Sequence, residues 1–246
     1  MTNIDPCEIN DLLRDLHYED PSYRVFGSRK HRYRLNPPLA ESSVDAFERQ
    51  HGITLPADYR AFLCEIADGG AGPYYGLATL RAASEDHDLG IPFPFIESTE
   101  GMSCERMKVK ATGYHQYEEF GGSVGGILEV SHRGCVIYAC LVVRGPAFGT
   151  MWEIREDCYT MGITFGQWYH RWMLDMRKRA LPLLKAERQI TGIKVGMTQA
   201  EIVAICGGHP KERKLYRSIH LRFPHLRTEF ELDQKRVLRR IIDYDI

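Results

Sequence analysis

The chain has 246 residues, 43% of them hydrophobic and 26% charged, a globular balance that excludes disorder, collagen and coiled coil. Its 32 Lys and Arg against 33 Asp and Glu leave a net charge of −1, which excludes a protein that grips nucleic acid along its whole surface. The length allows one large domain or two smaller ones.

The first periodic segment is Asp5 to Leu16, where Ile9, Leu12, Leu13 and Leu16 fall at helix spacing. A loop of mixed charge follows, with a basic cluster at Arg29, Lys30, Arg32 and Arg34 that reads as a solvated face. Ser42 or Ser43 is expected to cap a helix carrying Val44 and Phe47 and ended by Gly52. Pro56 opens the next helix, with Tyr59, Phe62, Leu63 and Ile66 as its apolar stripe, stopped before Gly69-Gly70. A Gly-rich turn with Pro73, Tyr74 and Tyr75 then leads to Leu77–Leu80. Residues 81–120 read as loops and short elements.

From Ile127 the pattern becomes β. ILEV, CVIYACLVV and FGTMWEI are three expected strands, separated by turns at Arg133-Gly134 and Arg144-Gly145-Pro146. Thr164 caps a helix whose Phe165, Trp168, Tyr169, Trp172, Met173 and Met176 make a wide aromatic face directed at the sheet. The helix continues through RKRALPLLKAERQ, with Pro182 as its expected kink or break. Thr198 and Glu201 form the capping box of a second-domain helix, Gln199 to Cys206, ended by Gly207-Gly208. IHLRF, RTEFEL and RVLRRIIDY then alternate as an antiparallel meander.

The longest apolar run, Cys135 to Val143, is far short of the roughly 18 residues of a membrane span. The N-terminal residues carry early acids and no apolar stretch, so no signal peptide is read and a cytoplasmic location is expected. Seven cysteines, Cys7, Cys64, Cys104, Cys135, Cys140, Cys158 and Cys206, are irregularly spaced with no C-x-x-C pair, and read mostly as small buried apolar residues. The histidines include no H-E-x-x-H. His115 with Glu118 and Glu119 comes nearest to a ligand cluster, and reads as a water-facing loop. FGGSVGGILEV lacks dinucleotide-loop and P-loop spacing, so it reads as a tight turn feeding a strand. There is no G-x-S-x-G elbow. A non-catalytic protein with no metal and no cofactor is expected.

The segment from Ser42 to Met176 resembles the SUKH superfamily, the Smi/Knr-like proteins. The resemblance runs through FERQHGITLPADYRAFLCEIADGGAGPYYGL, at Glu48, Gly52, Leu55, Pro56, Tyr59, Phe62, Leu63, Gly69 and Gly76. It continues through Gly134-Cys135, LVVRG, Gly149 with Trp152, and FGQWYHRW. Asp68 stands where the family carries Asn. The resemblance implies an α+β fold, with a twisted, mostly antiparallel sheet packed with helices. It also implies an immunity protein that binds and neutralises a cognate toxin of a polymorphic or contact-dependent system. The alternative it implies is a regulatory interaction scaffold of the Smi/Knr type. A small-ligand binder with a pocket near Tyr74, Tyr75 and His115 is a third reading. VGMTQAEIVAICGGHP resembles the start of the small BamE/SmpA-like α+β domain, and with no lipoprotein signal only that fold is carried over.

The expected organisation is an extension over 1–40, a SUKH-like domain over 41–180, and a small α+β domain over 181–246. Expected partner-binding residues are Tyr74 and Tyr75 with the loop acids Glu85, Asp86, Asp88, Glu97, Glu118 and Glu119. Acids suit a basic toxin, such as a nuclease. The charge is uneven: residues 41–175 hold 10 basic against 19 acidic side chains, and residues 176–246 hold 16 against 8. Near-neutrality therefore speaks against a nucleic-acid partner for the whole chain and not for its last segment.

Overall fold

A computed structural model describes residues 4–85, 87–99, 124–135, 137–155, 158–184, 192–215, 217–223, 226 and 228–243, with 242 and 243 as backbone only. The chain is α+β, and the described strands form two four-stranded antiparallel sheets. It divides into two compact units. One holds the chain through Leu13 together with Lys30–Met173; the other holds Arg14–Arg29 and the residues from Leu174 onward.

Helix α1, Pro6–Glu19, buries Ile9, Leu12, Leu13 and Leu16 as the spacing requires. A four-residue helix α2, Ser28–His31, is too short to leave a period in the sequence. Helix α3 spans Glu41–His51 and α4 spans Ala57–Glu65. Neither serine caps α3: it begins at Glu41, ahead of them, and Ala40 at its cap makes no side-chain bond. The rest of this helical pair follows from the sequence. Gly52 ends α3 in the left-handed conformation, φ +59°. The Leu55 N–H donates to Glu48 Oε1 at 2.6 Å, and Arg60 reaches Asp45 at 2.6 Å. Tyr59, Phe62 and Leu63 are buried, while Ile66 is half-buried and Ala67 takes the buried place after it. The α3–α4 motif is thus consumed in building the helix pair.

The Gly-rich turn is a backbone crossing. Single antiparallel rungs join Leu35 to Gly70, Gly70 to Leu77, and Leu77 to Ser131. Asp68 Oδ1 accepts the Leu80 N–H at 2.6 Å, which starts helix α5, Leu80–Ser84. The sheet beyond is β1 Ile127–Gly134, β2 Ile137–Val142, β3 Thr150–Ile154 and β4 Cys158–Thr164, in that order. Strand β1 runs through Arg133-Gly134 and turns at Cys135, one residue later than the expected turn. Phe148 and Gly149 belong to the turn before β3. Strand β4 was not among the expected strands, because Gly162 interrupts its alternation and it runs directly into the helix cap at Thr164. On one face Phe93 and Phe95 pack with Ile127, Cys140, Val142 and Trp152. Ahead of β1, Gly126 makes a bend at φ +67° whose N–H donates to the Asp88 carbonyl and whose carbonyl accepts from Val143, so it is tied to remote segments rather than closed as a tight turn; Gly121-Gly122 lies outside the described residues.

Thr164 and Gln167 cap helix α6, Phe165–Asp175, reciprocally. Its aromatic face meets α4: Phe165 lies 4.7 Å from Tyr59 and 5.1 Å from Phe62, centroid to centroid. The Tyr169 hydroxyl donates to the Ala71 carbonyl at 2.9 Å. Pro182 does not break the helix. The turn before it, Met176–Ala180, widens into a π-helical turn, and helix resumes over 181–184. A proline ring clashes with the carbonyl four residues back, and a widened turn moves that carbonyl aside.

In the second unit, α7 spans Gln199–Cys206 with the expected Thr198–Glu201 capping box. The sheet is β5 Lys211–Lys214, β6 Ile219–Arg222, β7 Thr228–Leu232 and β8 Leu238–Asp243. Ile202, Leu221, Phe223, Phe230, Leu232 and Leu238 form its core. Strand β5 was missed because all four of its residues are exposed, so nothing alternates. In the same unit the buried Asp20 carboxylate accepts the N–H groups of Arg24 and Val25, which orders a stretch read as loop. Only Cys140 and Cys158 are buried among the described cysteines; Cys64 and Cys206 are half-buried, and Cys7 and Cys135 are exposed. The expectation that most are buried is corrected accordingly, and Cys104 lies outside the described residues.

His31 supports the crossing from beneath. A Cβ on Gly76 would lie 3.1 Å from the His31 ring, and the Tyr33 N–H donates to Nδ1 at 3.0 Å. Burial lowers the imidazole to a pKa of about 4. The folded state thus holds this ring neutral, so stability is full above pH 6.5 and falls as pH drops toward 4. The expected loss over that window is about 2 to 3 kcal/mol. His31→Asn keeps an acceptor for Tyr33 and should remove this contribution. Urea unfolding at stepped pH checks it: equal acid slopes in the two proteins would refute the assignment.

Candidate functional site

The turn Pro73–Gly76 presents Tyr74 and Tyr75, both half-buried. The Gly76 N–H donates to the Pro73 carbonyl at 3.0 Å, and Tyr74 adopts φ +56°. A bulky residue rarely holds that conformation unless its surroundings impose it. Here Ser131, itself buried, places its hydroxyl 2.9 Å from the Pro73 carbonyl and 2.8 Å from that of Gly76. The Tyr75 N–H donates to the His132 carbonyl at 3.2 Å. Both ends of the turn are therefore tied to β1.

Tyr74 opens a ladder of alternating rings and charges. The Arg133 guanidinium lies 5.3 Å from its ring centroid. Arg133 and Arg155 each reach one oxygen of Glu153, both at 3.0 Å. Arg155 in turn lies 4.4 Å over the Tyr159 ring. Glu153 is 14% exposed, whereas Arg133 and Arg155 are 50% and 44% exposed. The carboxylate is thus enclosed, and both guanidinium groups keep N–H donors toward solvent. Burial raises the Tyr74 hydroxyl above its usual range, Arg133 opposes this, and Glu153 adds to it. On the other side, Tyr75 stacks on His132 at 5.9 Å, and His132 lies 4.8 Å from Tyr138.

Of the expected acids, Glu85 and Asp88 are engaged locally. Glu85 pairs with Arg81 at 3.4 Å, one helical turn back. Asp88 accepts the Gly90 N–H at 2.8 Å, the mark of a turn. Glu97 is exposed. Between the first two, His87 bridges the Val124 carbonyl at 3.1 Å and Glu129 at 2.8 Å. Asp86, Glu118 and Glu119 lie outside the described residues, as does His115. Of the expected partner-binding set, Tyr74 and Tyr75 share one turn, and Glu85 and Asp88 follow α5.

Arg133, Glu153, Arg155 and Tyr159 were missed. Glu153 and Arg155 two apart signal one strand face, but Tyr159 joins them only through the unrecognised β4. An open depression at the α3–α4 turn is lined by Asp45, Glu48, Arg49, Gly52, Ile53 and Thr54, not by the tyrosines. Among the described residues no three His, Cys, Asp or Glu stand together as a metal site, and no helix is long and apolar enough to cross a membrane. These elements define an α+β protein with a ring-and-charge surface on its first sheet. No family model matches the chain, and no curated protein or solved structure does.

Proposed function

We propose that this chain is a non-catalytic, cytoplasmic immunity protein of the SUKH type, which binds a cognate toxin and occludes its active site. The observation that carries the reading is the turn at Tyr74 and Tyr75, held in an imposed conformation beside half-exposed Arg133 and Arg155. Tyr and Arg are the residues in which binding energy concentrates at protein interfaces, and a rigid turn loses little entropy when it binds. The SUKH-like blocks support the reading too, because the α3–α4 helix pair and the Gly-rich crossing leave this turn on a fixed frame. The net charge of −9 over residues 41–175 favours a basic toxin, a nuclease among them.

Tyr74→Gly tests the reading without confounding the fold, because glycine suits φ +56° better than tyrosine does. Its unfolding free energy should stay within about 1 kcal/mol of the parent. Its affinity for the toxin encoded beside it should fall by about 30-fold, as for an interface hot spot. Titration calorimetry on both proteins measures this. Unchanged affinity in the stable variant would remove the turn from the interface.

A further inference from the structure

We infer that the exposed face of strands β5 and β6 in the second unit is a binding site for the phosphodiester backbone of nucleic acid, an inference independent of the toxin reading. The register places Lys211 opposite Arg222 and Arg213 opposite His220. Cross-strand partners share a face, so Lys211, Arg213, His220 and Arg222 stand together on the face opposite Leu221 and Ile219, which are buried. Lys211, Arg213 and Arg222 are exposed, and none has a salt-bridge partner among the described residues. Like charges directly opposed on a strand pair repel each other, a local cost that an anion between them removes.

Each acid near these cations is accounted for. Glu212, the hairpin's own acid, is bound by Arg236 at 3.1 Å and approached by Lys214 at 3.9 Å, on the opposite face. Glu229 is bonded to His220 and stands in register with Arg222, whose charge it partly offsets, leaving Lys211 and Arg213 as the unopposed cations. Glu231 stands in register with His220 and with Arg240, which is also exposed. Both of these acids lie on β7, one strand inward. The positive track therefore follows the β5–β6 edge rather than crossing the sheet.

The occupant follows from what the track lacks. The described side chains of this face, on β5, β6, β7 and at Arg240, are all polar. A stable protein interface has an apolar or aromatic centre, and among the described residues the exposed apolar side chain here, Leu215, stands at the turn end of the track rather than at its centre. A phosphate backbone needs only placed cations, and its affinity comes from releasing counterions.

The test uses the full chain with short duplex DNA, the corresponding single strand, an RNA of the same sequence, and poly-glutamate, by fluorescence anisotropy across a salt series. The parent should bind at least one nucleic acid. Lys211→Ser/Arg213→Ser/Arg222→Ser should bind it about tenfold or more weakly at low salt, with a log–log salt slope flatter by about 2 to 3. Arg29→Ser/Lys30→Ser/Arg32→Asn removes equal charge elsewhere and should lose less than about twofold. The three hairpin residues are exposed, and unfolding curves for each variant show that the fold is kept. No binding by the parent, equal loss in both triple variants, or poly-glutamate binding as tightly with the same losses would each overturn the inference. The last of these would make the hairpin a site for acidic protein.

Discussion

Gly70→Ala is expected to abolish soluble, folded protein. Gly70 holds φ +106°, where an L side chain is strained whatever the space around it. Space is lacking too. A Cβ there would lie 2.5 Å from the Arg34 carbonyl oxygen, 2.8 Å from Leu35 Cα and 3.0 Å from the Asn36 nitrogen. All three are backbone atoms of the segment that meets Gly70 at a single rung, so no side chain can swing away. Gly70 also exchanges both bonds with Leu77, at 3.0 and 2.7 Å, so moving it breaks the rung that leads to Ser131. The expected cost is about 4 kcal/mol or more, comparable with the whole stability of many domains. Gly52→Ala is the comparison. Gly52 also has a positive φ, +59°, but nothing lies within 4 Å of its Cβ position. Its cost should be about 1 kcal/mol. Soluble yield and urea unfolding of the two variants measure the contrast, and equal effects would contradict the crossing.

Trp152→Ala should destabilise the protein by about 3 to 5 kcal/mol. The indole is fully buried, lies edge-to-face with Phe93 at 4.8 Å, and stands opposite Cys140 on β2. Its N–H donates to Thr150 Oγ1 at 2.9 Å. Truncation removes the largest side chain on the Phe93–Phe95 face and leaves a cavity. Trp152→Phe keeps a ring there, and Thr150 still donates to the Ala147 carbonyl at 2.6 Å, so about 1 to 2 kcal/mol is expected. Because Glu153 follows Trp152 on β3, the alanine variant should also weaken partner binding through the ladder. Denaturation midpoints at constant m-value give the first effect and calorimetry the second.

How far the sequence could be read depended on whether a residue's neighbours lie close by in the chain. The Glu48–Leu63 helix pair was legible because its αL glycine and its apolar stripe are local signals, although the serines expected to cap it do not. The crossing was legible as a turn, but not as a crossing: Gly70 meets Leu35 and Leu77, and only the fold brings those together. Strands β4 and β5 were missed for different reasons. One is interrupted by Gly162 and runs into the helix cap at Thr164, and the other is a fully exposed edge of charges. Missing β4 hid Tyr159 from Arg155, and with it the ladder beside Tyr74. That the tyrosines sit in a turn was legible, because the Gly and Pro around them are local signals. The acids were chosen by charge alone, and Glu85 and Asp88 turn out to be engaged by Arg81 and the Gly90 N–H.

Growth of a bacterium expressing the toxin encoded beside this chain tests the central claim most directly. With the chain co-expressed, growth should recover and the two proteins should purify as a complex. With Tyr74→Gly, at equal expression, recovery should be largely lost. No recovery and no complex with the parent chain would contradict the immunity reading outright.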